Sequence, residues 1–341
     1  MRNRNGIASI ALVAMTTITA SNAQESNFNP PRTEFGHPDF QGNWHNLVVA
    51  PMERREELGN KRAYSPEEAE DFIASRQLRQ ENRPVFSDPD RPAPPAGELI
   101  TNIADGNFIP ELNTQPPFIN GEYRTSFIID PPNGRIASNE EYQDNYLRWI
   151  SAGYDVFDGP EIRPANERCL NSPGQVPLVI QIGPGDSKTM QIVQTEDYVI
   201  LNAEYATSIR IVPLQTKSNA ISWPQWRGVS IGRFEGESLV VTTRDFRVEQ
   251  SNPRIRTSPA LTVTEKFTMT DANELLYRFT FADEQSLEQP FTGEIPLQRM
   301  AEGEFIYESS CHEGNYALRG VLAGARRADV DAEFADQRSE Q

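Results

Sequence analysis

The chain has 341 residues, 37% of them apolar, and sets 49 acidic side chains against 32 Lys and Arg, for a net charge of −17. That length builds one large domain or two small ones. So negative a surface repels phosphate backbones and polyanions, which disfavours nucleic acid as a partner and favours a neutral or apolar small-molecule ligand.

Two arginines lie within Met1–Asn5, an uncharged run spans Gly6–Ala20, and Ser21-Asn22-Ala23 follows. A basic start, a short apolar run and a small-x-small end predict a signal peptide cut after Ala23, and hence a periplasmic or secreted protein. An uncleaved anchor is the alternative. The run is short for a membrane span and no later segment qualifies, so no membrane insertion is expected. The expected organisation is a signal peptide at 1–23, a single mainly-β domain at 24–325 and a flexible charged tail at 326–341. The 26 prolines point to many loops.

Residues 24–40 read as an extended arm. Gly42 and Trp44 then lead into the apolar Leu47-Val48-Val49, the first strand, with His45 either facing a pocket or structural. Ser65-Pro66-Glu67-Glu68 gives an N-cap, a proline at the first helical position and a glutamate three residues after the cap, predicting a helix to about Arg79. A Pro-rich irregular loop is expected over 80–120. Tyr123–Asp130 reads as a strand closed by the turn Pro131-Pro132-Asn133-Gly134. A second helix is expected over Asn139–Ala152.

From Val176 the pattern predicts strands at Val176–Ile182, Thr189–Thr195, Tyr198–Glu204, Ser208–Pro213, Trp226–Phe234, Ser238–Asp245, Ala260–Thr270, Leu275–Phe281, Phe291–Gln298 and Gly303–Glu308. Turn-separated strands at this spacing make a mainly β fold, a calycin-like barrel or sandwich with two peripheral helices and the long Pro-rich loop. Leu275, Tyr277, Phe279 and Phe281 fall on one strand face.

The two cysteines of an exported chain read as one disulfide, Cys169–Cys311, with free thiols or a nucleophile as alternatives. Closing so long a loop stabilises by about 4–5 kcal/mol in the chain-entropy picture. No CxxC or HxxxH spacing is present, so no metal or other cofactor is expected.

The disulfide would pin Glu167-Arg168 against His312-Glu313. In that cluster His312 is the candidate acid/base, with Glu313 or Glu204 as its carboxylate partner. Arg168 and Arg210 are candidate anchors for substrate or a developing oxyanion, and Tyr307 and Asn315 candidate hydrogen-bonding groups. Glu204 and Arg210 flank a hairpin and are expected to share a face, as a ligand pocket or an ion pair. Trp226, like Trp223, either stacks on a ligand or closes the core. No phosphate-binding glycine loop is present.

The segments Arg124-Thr125-Ser126, Asp130–Ile136, Glu167-Arg168-Cys169, Gln191–Gln194, Ile209–Leu214, Gly232–Gly236 and Cys311–Ala317 together resemble a large, mostly uncharacterised family of exported bacterial proteins. The resemblance covers roughly 40–325 and implies a shared fold and export, without an activity. Glu204, Arg210 and His312 match the family. Thr207 and Ser208 stand where it commonly has His-Asp, and Val229 where it often has Asp, which puts a shared reaction in doubt. The expected function is an exported lyase, isomerase or hydrolase acting by acid–base chemistry on a neutral small molecule or glycoside. The alternatives are a lipocalin-like carrier without turnover and a structural envelope protein. A monomer or small homo-oligomer is expected.

Overall fold

The computed structural model describes residues 28–46, 48–81, 115–163, 165, 167–170, 189–204, 208–214, 223–250, 255–308 and 316–339. The strands are β1 (Gly42–His45), β2 (Ala63–Tyr64), β3 (Phe118–Ile119), β4 (Glu122–Arg124), β5 (Ile128–Asp130), β6 (Thr189–Gln194), β7 (Tyr198–Ala203), β8 (Ser208–Pro213), β9 (Val229–Glu235), β10 (Ser238–Arg244), β11 (Thr262–Asp271), β12 (Glu274–Ala282) and β13 (Phe291–Arg299). The helices are α1 (Pro66–Glu81), α2 (Asn145–Ser151) and α3 (Ala317–Ser339).

β11 and β12 alternate buried and half-buried residues without a break, the period of strands with one packed and one wet face. Antiparallel pairing extends this into one large sheet in the order β8-β7-β6-β1-β13-β12-β11-β10-β9, with β5 added along the free part of β13. The sheet curls into a nearly closed barrel, in which β8 approaches β9. Gly232 permits that approach: a Cβ there would lie 2.9 Å from Val212 and 3.2 Å from Leu214. The protein is therefore mainly β, a barrel, as its strand spacing predicts.

The inward face is packed. Leu275, Tyr277, Phe279 and Phe281 are all inaccessible to solvent or nearly so. Phe267 stacks on Tyr277 with centroids 5.0 Å apart, and Phe281 on Phe291 at 4.9 Å. Each such ring stabilises by about 1.5–3 kcal/mol through burial alone, with about 0.5–1.5 kcal/mol more per ring pair. These rings line the inward face along β11, β12 and β13. Gly293 makes room for one of them: a Cβ there would sit 2.1 Å from the Phe279 ring. Gly293→Ala is expected to destabilise by about 1–3 kcal/mol through overpacking, read as a lower midpoint in urea; an unchanged midpoint would mean that the ring moves aside freely.

The 28–40 stretch is less an arm than a plug at one barrel end. The Phe40 amide donates to Gln194 Oε1 at 2.6 Å, Trp44 Nε1 donates to the Phe40 carbonyl at 2.9 Å, and His37 stacks on Phe234 at 4.1 Å. α1 starts as its sequence predicts. The Ser65 amide donates to Glu68 Oε2 at 2.7 Å, and the Glu68 amide to Ser65 Oγ at 3.2 Å, a reciprocal capping box.

Several expectations need correction. The single strand over Tyr123–Asp130 is two strands, β4 and β5, interrupted at Thr125–Phe127. The second helix begins only at Asn145, capped by Asp144, whose carboxylate accepts from the Leu147 amide at 2.9 Å. No strand forms over 303–308. Residues 326–339 continue α3 instead of fraying, so the barrel carries a third helix. Within the expected 80–120 loop, β3 forms at Phe118–Ile119; residues 82–114 and the expected strand at Val176–Ile182 lie outside the described residues.

Candidate functional site

Strand register places a polar row on the outside of the barrel. Trp44, Met190 and Ala203 point inward, so their neighbours point out. Asn43 pairs with Gln191, Gln191 with Asn202, and Asn202 with Ile209. One step along, His45 pairs with Thr189 and with Gln298.

The chain leaving β13 crosses this row. The Met300 amide donates to the Asn43 carbonyl at 2.9 Å, and the Ala301 amide to Glu304 Oε2 at 2.9 Å. Phe305–Glu308 then roof a cavity of about 360 Å³ whose floor includes Asn43, Gln191 and Asn202 and whose edge holds Glu204. The Glu204 carboxylate accepts a short hydrogen bond from the Thr189 hydroxyl, and its amide donates to the Thr189 carbonyl at 3.1 Å. That bond turns the carboxylate along the row on which His45 also sits.

Burial holds the His45 imidazole below its ordinary 6.5, against a weaker upward pull from Glu304. The neutral form is the one the fold prefers. Stability from this group is therefore complete above pH 6.5 and is lost as pH falls through the lowered folded value. Wild type is expected to lose stability more steeply than His45→Gln between pH 7 and about 5, read by thermal melts; parallel curves would contradict the burial.

The sequence candidates fall in separate places. Glu204, Tyr307 and His45 gather at the groove or beside it. Arg210 does not: it points into the barrel, 5% exposed. There it donates to Glu265 at 2.9 Å and to the Thr243 hydroxyl at 3.2 Å. The expectation that Glu204 and Arg210 share a face fails, because Arg210 pairs in register with inward Leu201 while Glu204 follows inward Ala203. Tyr277 also donates to Glu265, at 3.0 Å, so the pair is a buried ion pair bound into the core. Arg168 and Trp226 lie together, the guanidinium 6.0 Å from the ring centroid, and Arg247 lies over the same ring at 4.8 Å. Glu167 is held by Arg163 through two bonds of 2.7 and 2.8 Å. Cys169 carries no free thiol. Cys311, His312, Glu313 and Asn315 lie outside the described residues.

The chain matches no family model, no curated protein and no solved structure. Its site has to be read from its own residues. Among the described residues, no three His, Cys, Asp or Glu side chains gather as a metal site, and no helix is long and apolar enough to cross a membrane.

The residues that sequence reasoning missed are the amide row, Thr189 and Glu265. Asn43 and Gln191 alternate with inward apolar residues, which is a signal for an outward face. Nothing in the sequence says that these strands are neighbours or which residues face each other.

Proposed function

We propose that the protein binds a neutral, hydroxyl-rich small molecule in the groove under 305–308 and acts on it by acid–base chemistry, with Glu204 moving the proton. The observation that carries the reading is the lining: a carboxylate oriented by Thr189 stands beside the amides of Asn43, Gln191 and Asn202 and the phenol of Tyr307. Side-chain amides both donate and accept, as a sugar or polyol requires. An anionic ligand would meet Glu204 and Glu308, so a neutral one fits. The volume is within the usual range for small-molecule sites. The reaction class is a lyase, isomerase or hydrolase, in which a positioned carboxylate takes up or returns a proton.

Export with cleavage after Ala23, a Cys169–Cys311 disulfide and membership of the mostly uncharacterised exported family complete the proposal. His312 and Glu313, which follow the 305–308 roof in sequence, belong to the same reading as an acid/base and its partner.

The test is a panel of neutral glycosides, polyols and lactones, with binding followed by saturation-transfer NMR and conversion by mass spectrometry. At least one class should bind and be converted, and Asn202→Trp, which fills the groove from its floor, should lose both. Binding without conversion would support a carrier using the same groove. Binding untouched by Asn202→Trp would contradict the groove itself.

A further inference from the structure

A second cavity, of about 580 Å³, lies between the 160–168 stretch and α3, and among the described residues it shares no lining residue with the groove. Its apolar wall includes Pro160, Leu318 and Leu322, and three arginines line it: Arg168, Arg319 and Arg326. Leu318 and Leu322 are one helical turn apart, so α3 presents one apolar strip to the cavity. Arg319 and Arg326 are two turns apart and flank that strip.

Among the described residues no carboxylate lines this cavity. Among the described residues none of the three arginines forms an ion pair, and their bonds go to carbonyls. Arg326 donates to the Leu322 carbonyl at 2.9 Å and the Asp158 carbonyl at 3.4 Å, and Arg168 reaches the Glu161 carbonyl at 3.5 Å. Of the nearby acids, Glu167 is engaged by Arg163, Asp331 by Arg327 at 2.6 Å, and Glu249, which also feels the charge of Arg168, by Arg247 at 2.9 Å, while Asp158 and Glu161 meet Arg326 and Arg168 through their carbonyls. In a chain of net charge −17, three guanidiniums around one apolar hollow are a local concentration of positive charge.

We infer that this cavity is a binding site for an amphiphilic carboxylate, a molecule with one anionic head and a short apolar chain. The head is held by the arginine forks, whose planar donors match a carboxylate bidentately. The chain lies along Leu318, Leu322 and Pro160, where it leaves water. The surrounding negative surface disfavours ligands of higher charge.

The test uses the full chain and three probes: octanoate, acetate and 1-octanol, titrated by calorimetry. Octanoate should bind saturably, with acetate and octanol each weaker by about tenfold or more, since each lacks one half of the recognition. Arg319 and Leu322 lie on α3, away from the packed barrel. Arg319→Ala should weaken octanoate by about tenfold at unchanged melting temperature, and Leu322→Asn should weaken it while leaving acetate unaffected. Added salt should weaken octanoate binding in the wild type. Octanoate binding no better than octanol, or undiminished in both variants, would overturn the assignment. Neither variant touches the groove, so the result is independent of the proposed reaction.

Discussion

Arg210→Met is expected to cost about 3–5 kcal/mol of stability, because it strands a buried carboxylate. Glu265 is fully buried and its oxygens rest on the Arg210 guanidinium, at 2.8 and 2.9 Å, and on the Tyr277 hydroxyl at 3.0 Å. Without Arg210 one hydrogen bond remains to offset the desolvation of a full charge. Arg210→Met combined with Glu265→Leu should recover most of the loss, since well-packed apolar side chains often replace a buried pair at little cost. Urea unfolding of the wild type and the two variants checks this. A single variant within about 1 kcal/mol of wild type would mean that the pair is solvated, as exposed pairs are.

The barrel was legible where one physical signal acted alone. The Leu275–Phe281 alternation follows from a strand with one packed face, and the helix start at Ser65 from reciprocal capping. It was not legible where side chains compete with the backbone. Thr125 Oγ1 donates to the Lys61 carbonyl at 2.8 Å and Ser126 Oγ to the Ile128 carbonyl at 3.0 Å, which breaks the expected strand between β4 and β5. Asn139 delays α2 in the same way, accepting from the Glu141 amide at 3.0 Å while its own amide donates to the Gln285 carbonyl at 2.8 Å. In α3 the charges read as fraying, yet Arg327 and Asp331 pair one turn apart and favour the helix.

The site was legible only in part, for a reason of parity. Glu204 and Arg210 were identified as important types, but register decides which face each takes, and a one-residue slip reverses every assignment. The separation of Arg210 into the core and Glu204 into the groove follows from the pairing of Leu201 with Arg210. The groove itself joins β1, β6, β7 and the 305–308 segment, which are distant in sequence.

Glu204→Gln isolates the central claim. The substitution keeps the size of the side chain and leaves an oxygen to accept the Thr189 hydroxyl, so binding in the groove and the melting temperature should hold. What it removes is the carboxylate that takes up and returns a proton. Positioned general acid–base groups contribute about 10²–10⁴-fold, so kcat on whichever panel compound the wild type converts should fall by that factor, with KM little changed. The most direct measurement is the kcat of wild type and Glu204→Gln on that compound, with ligand binding measured in parallel. A fall of about a hundredfold or more with binding retained is the predicted result. A variant that turns the compound over at the wild-type rate would contradict the assignment of the groove as the site of chemistry.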